Sequence, residues 1–248
     1  MYSISFDGND LGAYGLSVKT KIVHTITHTT EPVRLQYRAF APASRRDGKT
    51  LSFEVNVLGT SPADLIFRLD AIKRILAHTG DKDLAIDAIP GRFWHARFLT
   101  FDGAALTDND FTGNISFYAA DPLAYDVTPT NRNYPITASP TTIYEATSGS
   151  AFVRPVLTLT SGTTISGATV TVASGTTSQT LTWTGTLPAN TPLVIDSERW
   201  VVTLGGQTSM TYVSGDFITL APSTLNDITI SGAGSNTTLN ILYRNAYL

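Results

Sequence analysis

Residues 127–248 hold 40 serines and threonines but only four arginines, five acidic residues, no lysine and no histidine. A stretch so rich in hydroxyl-bearing, β-branched residues and so poor in charge suits strands, and it offers little material for acid–base chemistry. The first half carries the remaining charges and all four histidines. This change of composition at the midpoint predicts two domains under different demands: a titratable one, then a β-rich scaffold or recognition surface.

With 42% hydrophobic and 15% charged residues, the chain can fill sizeable cores and is not composed like a disordered segment. A formal charge of −3 gives no overall pull toward phosphate backbones or anionic membranes, so nucleic acid is not the expected high-affinity partner. The absence of cysteine removes disulfides, thiolate catalysis and cysteine-ligated metals together. The first residues lack a basic stretch followed by an apolar one, and no segment approaches the roughly 18 apolar residues of a membrane span.

Alternation predicts strands at Tyr2 to Phe6, Leu16 to Val23, Leu51 to Val57, Leu84 to Ile89, Arg92 to Phe101 and Phe111 to Ala120. One segment switches period. Ser61-Pro62-Ala63-Asp64 is an N-cap, a first-turn proline and an early acid, and Leu65, Leu69, Ile72 and Leu76 then form one stripe up to Gly80. From Thr25 to Asp47 the pattern dissolves into an apparent loop, or arm, that with Lys49 carries Arg34, Arg38, Arg45 and Arg46. Ordering a free loop would cost about 1 to 2 kcal/mol per residue, so it is mobile or ordered from outside the monomer. The expected fold is therefore mainly β: an α+β domain with a single long helix over 1–128, a Pro- and Thr-rich connector over 129–149, and an antiparallel β-sandwich over 150–248.

Candidate chemistry is sparse. Asp196 and Glu198 would share one strand face, but glycosidase carboxylates generally come from separate elements, so a turn-facing pair is the simpler reading. His24 and His28 have no converging third ligand in the sequence, and Asp108 to Gly113 mimics a calcium loop without its closing glutamate. No phosphate-cradling or nucleophile-elbow motif is present, so no catalytic, cofactor-binding or metal residue is assigned and no enzyme is expected. Trp183 and Trp200 either fill the sandwich core or form a sugar-stacking platform. Arg34, Arg38, Arg45, Arg46 and Lys49 are candidates for a protein interface, their cationic groups meeting a neighbour's carboxylates.

Several segments resemble a known family, the distal tail (Dit) proteins of long-tailed siphophages. Ser148 to Leu157 resembles the family's proline-bearing strand, Leu193-Val194-Ile195-Asp196-Ser197-Glu198 its "l-x-I-D-x-e" strand, and Tyr243 to Leu248 its terminal strand. Ser214 to Ile228 resembles its "G-x-f-x-x-L-x-P-G-x-N-x-i" segment, with Pro222-Ser223-Thr224-Leu225-Asn226 in place of the usual Pro-Gly turn. Ile4 to Gly8 and Phe117 to Pro122 match more loosely.

The resemblance implies a structural virion protein at the tail tip, assembled in the bacterial host cytoplasm. It implies a homohexameric ring built by the N-terminal domains, the arm at about 25–49 reaching a neighbour, and galectin-like sandwiches radiating outward. The implied partners are the tail tube protein, the tape measure protein, a tail-tip or tail-associated protein and a receptor-binding protein, with DNA only passing through the lumen and no membrane contact. The rival reading is a carbohydrate-binding module recognising host cell-wall polysaccharide through Trp183 or Trp200.

Overall fold

The computed structural model describes the backbone of residues 2–29, 33–35, 38–40, 45–174, 177–234 and 236–248, and side chains outside 20–47, 105–106 and 174–177. The chain divides into two compact units, Met1–Tyr125 and Asp126–Leu248. Among the described residues no helix is long and apolar enough to cross a membrane.

The N-terminal unit is built from β1 (Ile4–Phe6), β2 (Leu16–Thr29), β3 (Arg45–Leu58), α1 (Pro62–Leu76), β4 (Lys82–Ile86), β5 (Arg92–Thr107) and β6 (Asp110–Ala119). Its strands run in the order β1-β4-β5-β6-β3-β2, all antiparallel neighbours, with the two-residue strand Asn9–Asp10 beyond β1. The apolar alternation of β3 puts Leu51, Phe53, Val55 and Val57 inside, where Phe53 and Phe6 meet Phe117 of β6 at ring separations of 6.3 and 5.2 Å. Helix α1 starts where its capping residues predict. The Ser61 hydroxyl accepts the Asp64 N–H at 3.2 Å, and the Asp64 carboxylate accepts the Thr60 N–H at 2.8 Å, which holds the Asp64 pKa below its ordinary value. The helix buries Leu65, Ile72, Ile75 and Leu76, whereas Leu69 is half-buried.

Two expectations need correction. The stretch from Thr25 to Asp47 is not a patternless loop: β2 and β3 stay paired as far as Thr29 and Arg45, and Val33–Leu35 pairs with Arg38–Phe40. Ladder hydrogen bonds need no apolar alternation, so pairing continues where the sequence pattern fades. Over its described residues the arm is paired strand, held by backbone hydrogen bonds.

The second correction concerns residues 129–149, which are not a connector. They supply β7 (Thr130–Ile136) and β8 (Thr141–Ala146), two strands of the C-terminal unit. Both are outer strands of their sheets, where Thr, Asn and even Pro135 are tolerated because one edge needs no ladder partner.

The longer remaining strands of that unit are β9 (Val156–Ser161), β10 (Ile165–Ser174), β11 (Thr177–Leu187), β12 (Pro192–Asp196), β13 (Val201–Leu204), β14 (Val213–Gly215), β15 (Leu225–Ser231) and β16 (Thr237–Tyr243), with two-residue strands at Gln207–Thr208 and Ala246–Tyr247. One sheet runs β7-β16-β9-β12-β13 and ends on Gln207–Thr208; the other runs β8-β15-β10-β11-β14. Phe217 to Leu220 forms no strand of its own; Leu220 makes a single bridge to Val153.

Inward positions of both sheets bury Leu157, Leu159, Val170, Val172, Leu181, Ile195, Ile228, Ile230, Leu239 and Ile241. The outward face of the second sheet is where threonine collects. Thr142 and Thr229 sit opposite each other with their hydroxyls 2.9 Å apart, and Thr171 faces Thr180 at 3.2 Å. The serine and threonine content of this half is thus largely the polar face of a sandwich, β-branched for the strand and hydroxylated for water.

Candidate functional site

The two tryptophans that sequence left undecided part ways. Trp183, on β11, is 1% exposed; its Nε1–H donates to the buried Ser209 hydroxyl at 2.9 Å, and a Cβ on Gly185 would overlap its ring. A depression of about 260 Å3 is lined by Ser166, Gly167, Thr169, Thr182, Trp183 and Thr184, but Trp183 is too buried to offer an open ring face there. Trp183 is core, and the platform reading fails for it because a sandwich of this size needs a large side chain there.

Trp200 is 58% exposed. It ends the turn from Asp196 to Val201, in which the Asp196 carboxylate accepts the N–H groups of Glu198 at 3.1 Å and Arg199 at 2.9 Å. Asp196 and Glu198 therefore serve a turn, as the simpler reading expected. Trp200 adopts φ +57°, a left-handed conformation unusual for a bulky side chain and worth roughly 1 to 3 kcal/mol of strain. The Arg154 guanidinium carbon lies 5.5 Å from the indole centroid, and the Phe217 ring lies 5.6 Å away, inclined by 54°. The turn is anchored beneath by the Ser197 N–H, which donates to Pro155 O at 3.2 Å. Phe152, two residues before Arg154, is also exposed. Sequence reasoning missed Arg154 and Phe217, which lie far from Trp200 along the chain and are brought to it only by the sandwich.

A second cluster is buried. Glu145, on the edge strand β8 of one sheet, is 0% exposed, and its carboxylate accepts the hydroxyls of Tyr134 at 2.5 Å and Tyr243 at 2.8 Å, both from the other sheet. The Arg132 guanidinium approaches it at 3.5 Å from solvent. Burial, then hydrogen bonding to Glu145, raises the pKa of both phenols, that of Tyr243 strongly. The sequence signal was present but local: Arg132 and Tyr134 are two apart on one strand, and Glu145 falls at a buried position of the alternation in β8. The cluster fastens one sheet to the other.

Of the predicted interface residues, the side chains of Arg34, Arg38, Arg45 and Arg46 lie outside the described residues. Lys49 is described, and the surface role expected for it does not hold. It is 4% exposed, with its ammonium 5.5 Å from the centroid of the Trp94 ring, and burial lowers its pKa. His24 and His28 are also outside the described side chains; His95 pairs with Asp83 at 2.9 Å. Among the described residues no group of three acids or histidines is placed to hold a metal.

Comparison with known proteins adds the decisive observation. Residues 148–247 match the family described as siphovirus-type tail component, C-terminal domain, whose model is named for SPP1 Dit. Residues 148–247 are thus similar to the C-terminal domain of siphovirus-type tail components. The matched segment contains three of the four motifs that carried the resemblance in this half whole, and the fourth as far as Tyr247. Within it, Asn226 is buried and ties the altered turn together: its Oδ1 accepts the Ala221 N–H at 2.8 Å, and its Nδ2 donates to Ala221 O and Glu145 O at 3.3 Å each. Ser223, at φ +50°, takes a left-handed position that ordinarily favours glycine.

The fold resembles that of the Dit protein (gp 19.1) of phage SPP1, described as a paradigm of hub adsorption apparatus in Gram-positive infecting phages. The TM-score is 0.77 at 17% identity, over 100% of both chains. Two structures of the phage P2 baseplate in its activated conformation, with Ca and with Sr, give TM-scores of 0.47 and 0.45 at 9% identity over 97% of both chains. No curated protein matches the chain.

Proposed function

We propose that this chain is the structural hub of the distal tail, six copies closing into a ring through their N-terminal units while the C-terminal sandwiches face outward. The observation that carries this reading is the match of residues 148–247 to the tail component family, joined to a fold shared with SPP1 Dit over the whole of both chains. A closed ring uses two different surfaces of each protomer, and the β2–β3 hairpin is a natural element to reach a neighbour. The arginines of that arm are the candidates to meet the neighbour's carboxylates. Lys49 stays in its own unit, beneath the arm.

In this reading the protein joins the tail tube to the tip, in contact with tube, tape measure, tail-associated and receptor-binding proteins of the same phage, and it turns over no substrate. DNA and tape measure pass through the lumen without being gripped, in keeping with a net charge of −3. Assembly occurs in the host cytoplasm and the product resides at the virion tail tip. Negative-stain microscopy of the purified chain should reveal six-fold rings with an open centre, and light scattering a mass six times that of one chain. A strict monomer at high concentration, together with virions whose tails lack the chain, would overturn the proposal.

A further inference from the structure

Residues 127–248 have nine charged side chains to distribute, the four arginines and five acids. Glu145, with Arg132 beside it, is committed to the bridge between the sheets, and the Arg244 guanidinium donates to the carbonyl oxygens of Asp126 and Val127. Five of the remaining six, Arg154, Asp196, Glu198, Arg199 and Asp216, lie on the three segments that meet at Trp200. The outward face of the second sheet presents threonine hydroxyls instead. Five of the nine charges and the exposed Trp200 and Phe152 therefore fall on the same three segments, around an indole held at a strained backbone angle by an anchored turn. Such strain persists only where the surroundings impose it, and it marks sites more often than plain surface.

The composition of that corner discriminates between occupants. A protein docking on Trp200 would have to strip water from the exposed Arg154, Glu198 and Arg199 around one apolar anchor, and desolvated charges are costly unless each finds a partner. A sugar makes no such demand. Its C–H face stacks on an indole, while hydroxyls around its rim donate to carboxylates and accept from guanidinium groups that stay wet. Trp200 is more than half exposed even with Arg154 and Phe217 beside it, so ring surface remains open to a flat ligand. Glu198, Arg199 and Arg154 are exposed around it.

We propose that the Trp200 corner is a sugar-binding site for a neutral pyranose unit of a polysaccharide. Trp200 is the stacking platform, Phe217 its side wall, Arg154 and Arg199 the donors, and Glu198 the acceptor. The site is shallow and rests on one aromatic stack, so its affinity for a short oligosaccharide is on the order of millimolar. The inference stands on the geometry of this unit and does not depend on ring formation.

The test uses the full chain, titrated with chitotetraose, maltotetraose and a galactan tetrasaccharide and followed by the amide and indole N–H resonances. At least one sugar should give a saturable shift of the Trp200 indole and of residues 197–201 and 217, with the buried Trp183 unmoved. Trp200→Gly removes the ring and accepts the left-handed backbone without strain, so it should keep the spectrum of a folded chain and bind about tenfold more weakly or not at all. Glu198→Gln and Phe217→Leu should each weaken binding without unfolding. No binding of any of the three sugars, or equal binding by the folded Trp200→Gly variant, overturns the proposal. So does a purified tail component of the same phage that docks through Trp200 while all three sugars fail.

Discussion

Glu145 is the residue on which the two sheets of the C-terminal unit turn. A carboxylate taken fully out of water survives only with its oxygens satisfied, and here each accepts a tyrosine hydroxyl from the opposite sheet. Glu145→Ala would strand two buried phenols, and we expect it to lower stability by about 3 kcal/mol in urea unfolding; a loss under about 1 kcal/mol would contradict this account. The phenols give a pH signature. Both hold their protons above the ordinary tyrosine value of 10.0, so their contribution is complete below about pH 10 and is lost as pH rises toward the folded-state values. Lys49 works in the opposite direction, since burial disfavours its charged form and its cost to folding fades as pH rises. The comparison with Tyr243→Phe isolates the phenol: the urea midpoint should fall between about pH 9 and pH 11 in the natural chain and fall less in the variant. Equal falls would dismiss the linkage.

The arm is the element whose contribution can be separated from the fold. Its strands pair beyond the last described core positions of β2 and β3, from Ile26 opposite Lys49 outward to Thr29 opposite Arg45. Replacing residues 28–46 with a two-residue Asn-Gly turn should leave the thermal midpoint within a few degrees and abolish ring assembly, as read by light scattering. Unfolding would mean that the arm belongs to the core, and intact rings that it makes no interface. Elements with a local code were legible in advance. Ser61, Pro62 and Asp64 announced α1, and Leu51 to Val57 announced β3, because capping and alternation are written in neighbouring residues. The arm and the edge strands β7 and β8 were not, since backbone pairing and one-sided burial leave little apolar rhythm behind.

At the scale of the molecule, the contrast of composition survives as a contrast of construction. The N-terminal unit fixes its surface with ion pairs such as Lys82 with Asp7 at 3.2 Å and Arg97 with Asp81 at 3.2 Å, whereas the C-terminal unit dresses one sheet in hydroxyls and gathers most of its charge at Trp200. Composition announced that division but could not place the corner, because Arg154, Trp200 and Phe217 are neighbours only after folding. The outermost strand of the first sheet carries a further consequence. Pro135 offers no N–H to a strand arriving from outside, and it stands on the edge where such a strand would have to join. A strand arriving along that edge would lose a ladder hydrogen bond at this position, which disfavours edge-to-edge pairing there.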